Sequence, residues 1–203
     1  MAYSDFTLKT VKAEFQLRFV ENTALFADIQ PIELSPFLSE LLQQNVPLAL
    51  AMGTEKASSE LIIINVLLEI KRRLNISFFS GIDFTVDKEK GLNGFCDFII
   101  SQSAEQLFLE APLIAVVEAK NERIMAGAGQ CVAEMIAARL YNQREGKNIS
   151  VIYGAVTTGH AWKFFKLDGN TVYIDQEDYY IKNAEKIIGI FCSMIEVGFV
   201  TSI

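Results

Sequence analysis

The spacing of apolar positions changes along this chain, and the changes predict its elements. Near the start, "TLKTVKAEF" follows Asp5, and "SPFLSELLQQ" places Ser35 as an N-cap with Pro36 at the first helical position. The first fifty residues therefore read as two short helices joined by loops, with Pro47 expected to end the second. From Thr54, the stretch "TEKASSELIIINVLLEIKRRLN" carries Leu61, Ile64 and Leu68 at helical spacing, with Leu67 and Ile70 less regular. Thr54 suits a cap, Glu55 the first turn, and Lys71, Arg72 and Arg73 the last.

Alternation then takes over. "ISFFSGIDFTVD" sets Phe84 and Val86 against Asp83 and Thr85, "KEKGLNG" is a turn, and "FCDFII" is a second strand. "LIAVVEA" is apolar on both alternating faces, as expected of a central strand covered on both sides. A helix from about Gly129 to Gln143 follows, with Val132, Met135, Ile136 and Leu140 at helical spacing. "ISVIYGAVTT" predicts a buried strand. "AWKFFKL" and "TVYID" predict a hairpin about Asp168, Gly169 and Asn170, and a last helix runs from near Asn183 to Glu196. The order α-β-β-β-α-β, with additions at both ends, predicts an α/β fold with a central mixed sheet flanked by helices.

Length and composition narrow the class. At 203 residues, 51% hydrophobic and 21% charged, the chain suits one globular domain spanning 1–203. Within it, residues 1–50 are expected as a helical layer packed on a core of 54–203. Its longest apolar runs fall short of the ~20 residues a spanning helix needs. The N-terminus shows no secretory pattern, so a cytoplasmic protein without membrane contact is expected. Cys96, Cys131 and Cys192 match neither a zinc spacing nor a disulfide framework and read as buried thiols. A net charge of −7 argues against a surface built for nonspecific nucleic-acid binding, but it leaves room for a local basic groove.

The chemistry concentrates in "LIAVVEAKNE". Ile114, Val116, Glu118 and Lys120 alternate onto one face, which puts Glu118 and Lys120 about 6–7 Å apart at the C-terminal end of the strand. A carboxylate beside such a core must be paired, hydrogen-bonded or bound to a metal. Asp97 interrupts an apolar row in the same way, sharing a strand face with Phe95 and Ile99. If the two strands are neighbours, the two acids converge. A hard divalent cation, Mg²⁺ or Mn²⁺, then best keeps both ionised, with Lys120 placed for a phosphate or a water. The plainer reading is an ion pair at a strand end.

Asp97, twenty intervening residues, and then Glu118-Ala119-Lys120 resemble the PD-(D/E)xK nuclease superfamily, which includes restriction endonucleases and Holliday-junction resolvases. The wording "GLNGFCDF…VVEAKNE…GQCVAEM" is also similar to a group of uncharacterised bacterial proteins within it. The resemblance covers about Thr54 to Thr158 and implies a restriction-endonuclease-like αβββαβ core. It implies Mg²⁺-assisted hydrolysis of DNA, with Asp97, Glu118 and the Val117 carbonyl as metal ligands and Lys120 acting on water and phosphate. Superfamily members add an acid from the first helix, for which Glu60 is the first choice and Glu55 the second. Some add a glutamine at the start of the helix after the lysine strand, which is Gln130 here. Cys96 stands where the motif's name has proline. A homodimer would suit double-strand cleavage. The alternative is a catalytically silent module of the same fold that serves as a binding or assembly subunit.

Other features read more plainly. Gln130 shares a helix face with Glu134 and Tyr141, clear of the core stripe, and also suits a polar first turn. "MAGAGQ" lacks both the third glycine of a dinucleotide fingerprint and the Gly-Lys-Ser/Thr of a P-loop, so close packing of a helix start is expected. His160 is expected in an exposed turn. Trp162, Phe164 and Phe165, beside Lys163 and Lys166, are expected to pack a hairpin on the core rather than to stack bases.

Overall fold

The computed structural model describes residues 1–121 and 123–200, with side chains described through Glu196. Among the described residues, eight strands form one open mixed sheet. They are β1 (Arg18–Thr23), β2 (Ser77–Asp83), β3 (Phe95–Ser101), β4 (Leu113–Ala119), β5 (Val151–Thr157), β6 (Ala161–Asp168), β7 (Thr171–Asp175) and the short β8 (Tyr179–Tyr180). Their order is β1-β7-β6-β5-β4-β3-β2, with β8 paired to β6 off this path. β4 lies parallel to β5 and β1 parallel to β7, while the remaining pairs are antiparallel. The α/β class, the mixed sheet and the flanking helices agree with the pattern of the sequence.

β4 is central because every one of its residues is apolar or partnered, and all seven are buried. Helix α5 (Ala128–Arg144) packs across β4 and β5 on one face. A Cβ on Gly154 would lie 2.5 Å from Met135 Sδ and 2.8 Å from Cys131 Sγ, so the bare glycine lets α5 lie this close to the sheet. On the other face, α6 (Ala184–Val200) sets Phe191 edge-on against Trp162 and Phe164 of β6. Trp162 is fully buried and donates its indole N–H to the Gly159 carbonyl at 3.2 Å, so the hairpin aromatics are core. His160 is exposed in the turn before them, beside the Tyr180 ring. The three cysteines are free and buried. No described helix is long and apolar enough to cross a membrane.

The first fifty residues differ from expectation in two ways. Between α1 (Leu8–Glu14) and α2 (Pro36–Met52) lies β1, which extends the sheet as a parallel edge strand beside β7. Its residues are exposed or half-buried, so they carry no core periodicity, and only the partner strand makes them a strand. Pro47 does not end α2. The helix runs through it to a left-handed C-cap at Gly53 (φ 63°). Leu42 and Ala49, buried on the inward side, hold both halves against the core, and Asn45 donates to the Leu61 carbonyl at 3.0 Å.

The next helix is also irregular. α3 (Glu55–Ser58) and α4 (Ile64–Arg73) are joined by a π-helical turn, Ser59–Ile63, in one continuous rod capped by Thr54. The wider turn frees the Leu61 carbonyl, which the side-chain amides of Asn45 and Asn65 both satisfy. This turn changes which residues face the sheet.

Candidate functional site

The site begins where β3 and β4 part. Their ladder runs from Ser101 opposite Leu113 to Phe98 opposite Val117 and then stops. β4 keeps its other partner two residues longer, to Ala119 opposite Thr157. At this fork the Ala119 N–H has no backbone acceptor on β3. It donates instead to Asp97 Oδ2 at 2.7 Å. A side chain thus takes the place of a ladder bond, and Asp97 is held at the mouth of the fork.

Glu118 lies beside it, 1% exposed, next in the chain to the Ala119 N–H that holds Asp97 and close enough to feel its charge. Lys120 Nζ contacts Glu118 Oε1, and the lysine is a quarter exposed while the glutamate is sealed. Among the described residues, Glu118 Oε2 has no hydrogen-bond partner. Burial, then the Asp97 charge, push the Glu118 pKa up to about 8, and Lys120 offsets this only in part. Burial pulls Lys120 the other way, but the contact with Glu118, followed by the charges of Glu55 and Asp97, outweighs it and raises its pKa.

The start of α5 frames the lysine. A Cβ on Gly127 would lie 3.0 Å from Lys120 Cγ and Cε and 2.9 Å from Val156 Cγ1. A Cβ on Gly129 would overlap the backbone of Phe6 and Thr7. The glycines of "MAGAGQ" thus serve close packing, as expected. Gln130 Oε1 lies 3.5 Å from Lys120 Nζ, and Gln130 Nε2 donates to Glu134 Oε1 at 3.0 Å.

Asp97, Glu118, Lys120 and Gln130 are therefore brought together, and Val117 closes the ladder at the fork. Glu60 is not among them. Its side chain is 64% exposed and pairs with Lys56 at 3.8 Å. The inward side of that rod carries Ala57, Ile62, Ile63, Val66 and Leu67, and the π turn leaves Glu60 facing solvent. Glu55, one turn earlier, is the helix acid whose charge reaches Lys120.

Glu134 was not singled out from the sequence. The expected polar face of α5 does not exist there, because α1 and the N-terminal turn cover that side of the helix. Glu134 is fully buried, and burial followed by the Glu118 charge holds its pKa well above the usual carboxyl range. Its Oε2 has no partner among the described residues. The available signal was the one that marked Glu118: a lone charge inside an apolar run, here "CVAEMIAA".

Among the described residues, no three His, Cys, Asp or Glu side chains converge as a ready metal site. What fits a hard cation is the carboxyl pair itself: two oxygen ligands, one with a free buried oxygen, held side by side only at an electrostatic cost. Compared with known proteins, the chain matches no family model, no curated protein and no solved structure. The chemistry of the fork therefore carries the functional reading.

Proposed function

We propose that this protein is a metal-dependent deoxyribonuclease of the PD-(D/E)xK type, with a restriction-endonuclease-like core over about residues 54–158. One observation carries the reading: at the fork of β3 and β4 Asp97 is held on the Ala119 N–H, where its charge bears on the Glu118 carboxyl, with Lys120 seated on Glu118. Asp97 and Glu118, with the Val117 carbonyl, would hold Mg²⁺ or Mn²⁺. Such an ion, when bound, neutralises phosphate charge and lowers the pKa of a water. Lys120 donates to a phosphate oxygen and steadies the charge that grows there. Ala119, through its N–H, keeps Asp97 aimed, and Glu55 supports the positive charge on Lys120.

The test is cleavage of plasmid and oligonucleotide substrates in Mg²⁺ or Mn²⁺, beside a Glu118→Ala control. Cleavage by the wild type alone is the expected result, while equal activity in both would expose a contaminant and remove the reading.

A second reading, a catalytically silent module of the same fold, draws on one specific observation. The ammonium of Lys120 already occupies Glu118 Oε1, so the carboxyl pair is partly closed. Calorimetric titration with Mn²⁺ separates the two readings. Heat that is lost in Asp97→Ala supports the nuclease, and an absence of binding leaves the carboxylates structural.

A further inference from the structure

Gln130 is placed between two groups that make opposite demands on it. Its amide has one donating end and one accepting end. Lys120 offers only donors, while the Glu134 oxygen facing the amide accepts a hydrogen bond. Only one orientation satisfies both: nitrogen towards Glu134 at 3.0 Å, oxygen towards Lys120 at 3.5 Å. A flip would set an NH₂ group against an ammonium and would give up the bond from Gln130 Nε2 to Glu134 Oε1.

Glu134 carries a cost for this. It is fully buried, one of its oxygens has no partner, and it feels the charge of Glu118. Its neighbours Val132, Met135 and Ile136 are apolar and equally buried. A leucine or methionine at 134 would pack there without an unsatisfied oxygen. What the carboxyl supplies that they lack is an acceptor one helical turn from Gln130.

We propose that Glu134 is a positioning residue: it fixes the polarity of the Gln130 amide, so that the amide oxygen rather than its nitrogen faces Lys120. Glu118 and Gln130 then engage two of the three ammonium donors of Lys120, leaving the third for a phosphate oxygen. That last consequence rests on the nuclease reading. The positioning itself does not.

The experiment follows the side-chain NMR signals of Lys120 in the full-length protein labelled with ¹³C,¹⁵N-lysine, with Lys120→Arg to assign them. Glu134→Leu and Gln130→Leu should move the Lys120 signals in the same direction, and the double variant should move them no further than either single variant. Glu134→Gln retains an accepting oxygen and should restore signals near those of the wild type. In cleavage assays, Glu134→Leu should lower kcat about tenfold at unchanged KM, the size of one hydrogen bond.

A Lys120 signal unmoved in folded Glu134→Leu would overturn the proposal, as would additive shifts in the double variant. Should Glu134→Leu fail to fold, a signal unmoved by Gln130→Leu would overturn it equally. If the wild type cleaves nothing while the lysine signals remain coupled to Glu134, the positioning stands and the nuclease reading falls.

Discussion

Glu69 and Glu118 are both carboxylates sealed inside this protein, and their surroundings treat them in opposite ways. Glu69, 2% exposed on α4, accepts from the Ser35 N–H at 3.2 Å, the Ser35 hydroxyl at 2.8 Å and Arg73 Nε at 2.9 Å. Burial pushes its pKa up, but Ser35 and Arg73 more than reverse this, and it lies below the usual carboxylate value. It ties the N-cap of α2 to α4. Glu118 has one lysine contact, a second carboxyl beside it and an oxygen with no partner, and its pKa rises to about 8. A structural acid is closed by its neighbours. Glu118 instead retains an open oxygen at a cost in stability, as the proposed metal ligand would.

The sharpest way to break this contrast is to remove each acid in turn. Glu118→Ala should lower kcat by roughly three orders of magnitude, since cation-assisted charge stabilisation contributes several kcal/mol to such barriers. Cleavage kinetics read this directly, and a loss of less than tenfold would place Glu118 with the structural acids. Glu69→Ala should instead cost about 2–3 kcal/mol of folding stability, because Ser35 and Arg73 lose their shared acceptor. Urea denaturation measures it, and kcat should stay within twofold of the wild type. A variant as stable as the parent would show that the Glu69 joint is dispensable.

The two acids should also divide the pH dependence of stability. Glu118 has a folded pKa near 8, above the ordinary carboxyl value of 4.5. Between those values the folded state holds a proton that the unfolded state releases, so its contribution is full at low pH and is lost as pH rises through about 8. Glu69 is shifted down, so its contribution is present above the ordinary value and is lost as pH falls through its lowered pKa. Urea midpoints across pH 3 to 9 should show Glu118→Gln removing the decline on the alkaline side and Glu69→Gln removing the decline on the acid side. Identical profiles for the two variants would erase the distinction.

The smallest effect separates the two helix acids. Glu55→Ala should weaken cleavage about twofold at low salt, the scale of a screened surface charge, with the difference fading as salt is added. Glu60→Ala should cause no such salt-dependent loss, because its charge is spent on Lys56 in solvent. The reverse ranking would mean that the rod turns its other side to the substrate.

Much of the candidate site was legible because charge in an apolar run is a strong local signal. Asp97, Glu118 and Lys120 announce themselves in "FCDFII" and "LIAVVEAKNE". The same signal was present at Glu134 but was masked by its helical spacing beside Gln130 and Tyr141, which suggested an outward face. Only the covering of α5 by the N-terminal segment reveals that this face is inside. β1 was illegible for the opposite reason: it has no buried stripe to read, and its pairing with β7 bridges some 150 residues of chain.

By itself the sequence determined the local matters: which stretches alternate, where Thr54 and Ser35 cap helices, and which strand is central. Those depend on side chains a few residues apart. The tertiary structure decided what depends on distant partners: the fork that gives Asp97 the Ala119 N–H, the π turn that faces Glu60 outward, and the layer that seals Glu134 against Gln130. Burial and electrostatic coupling are properties of neighbours in space, and no pattern of spacing along the chain contains them.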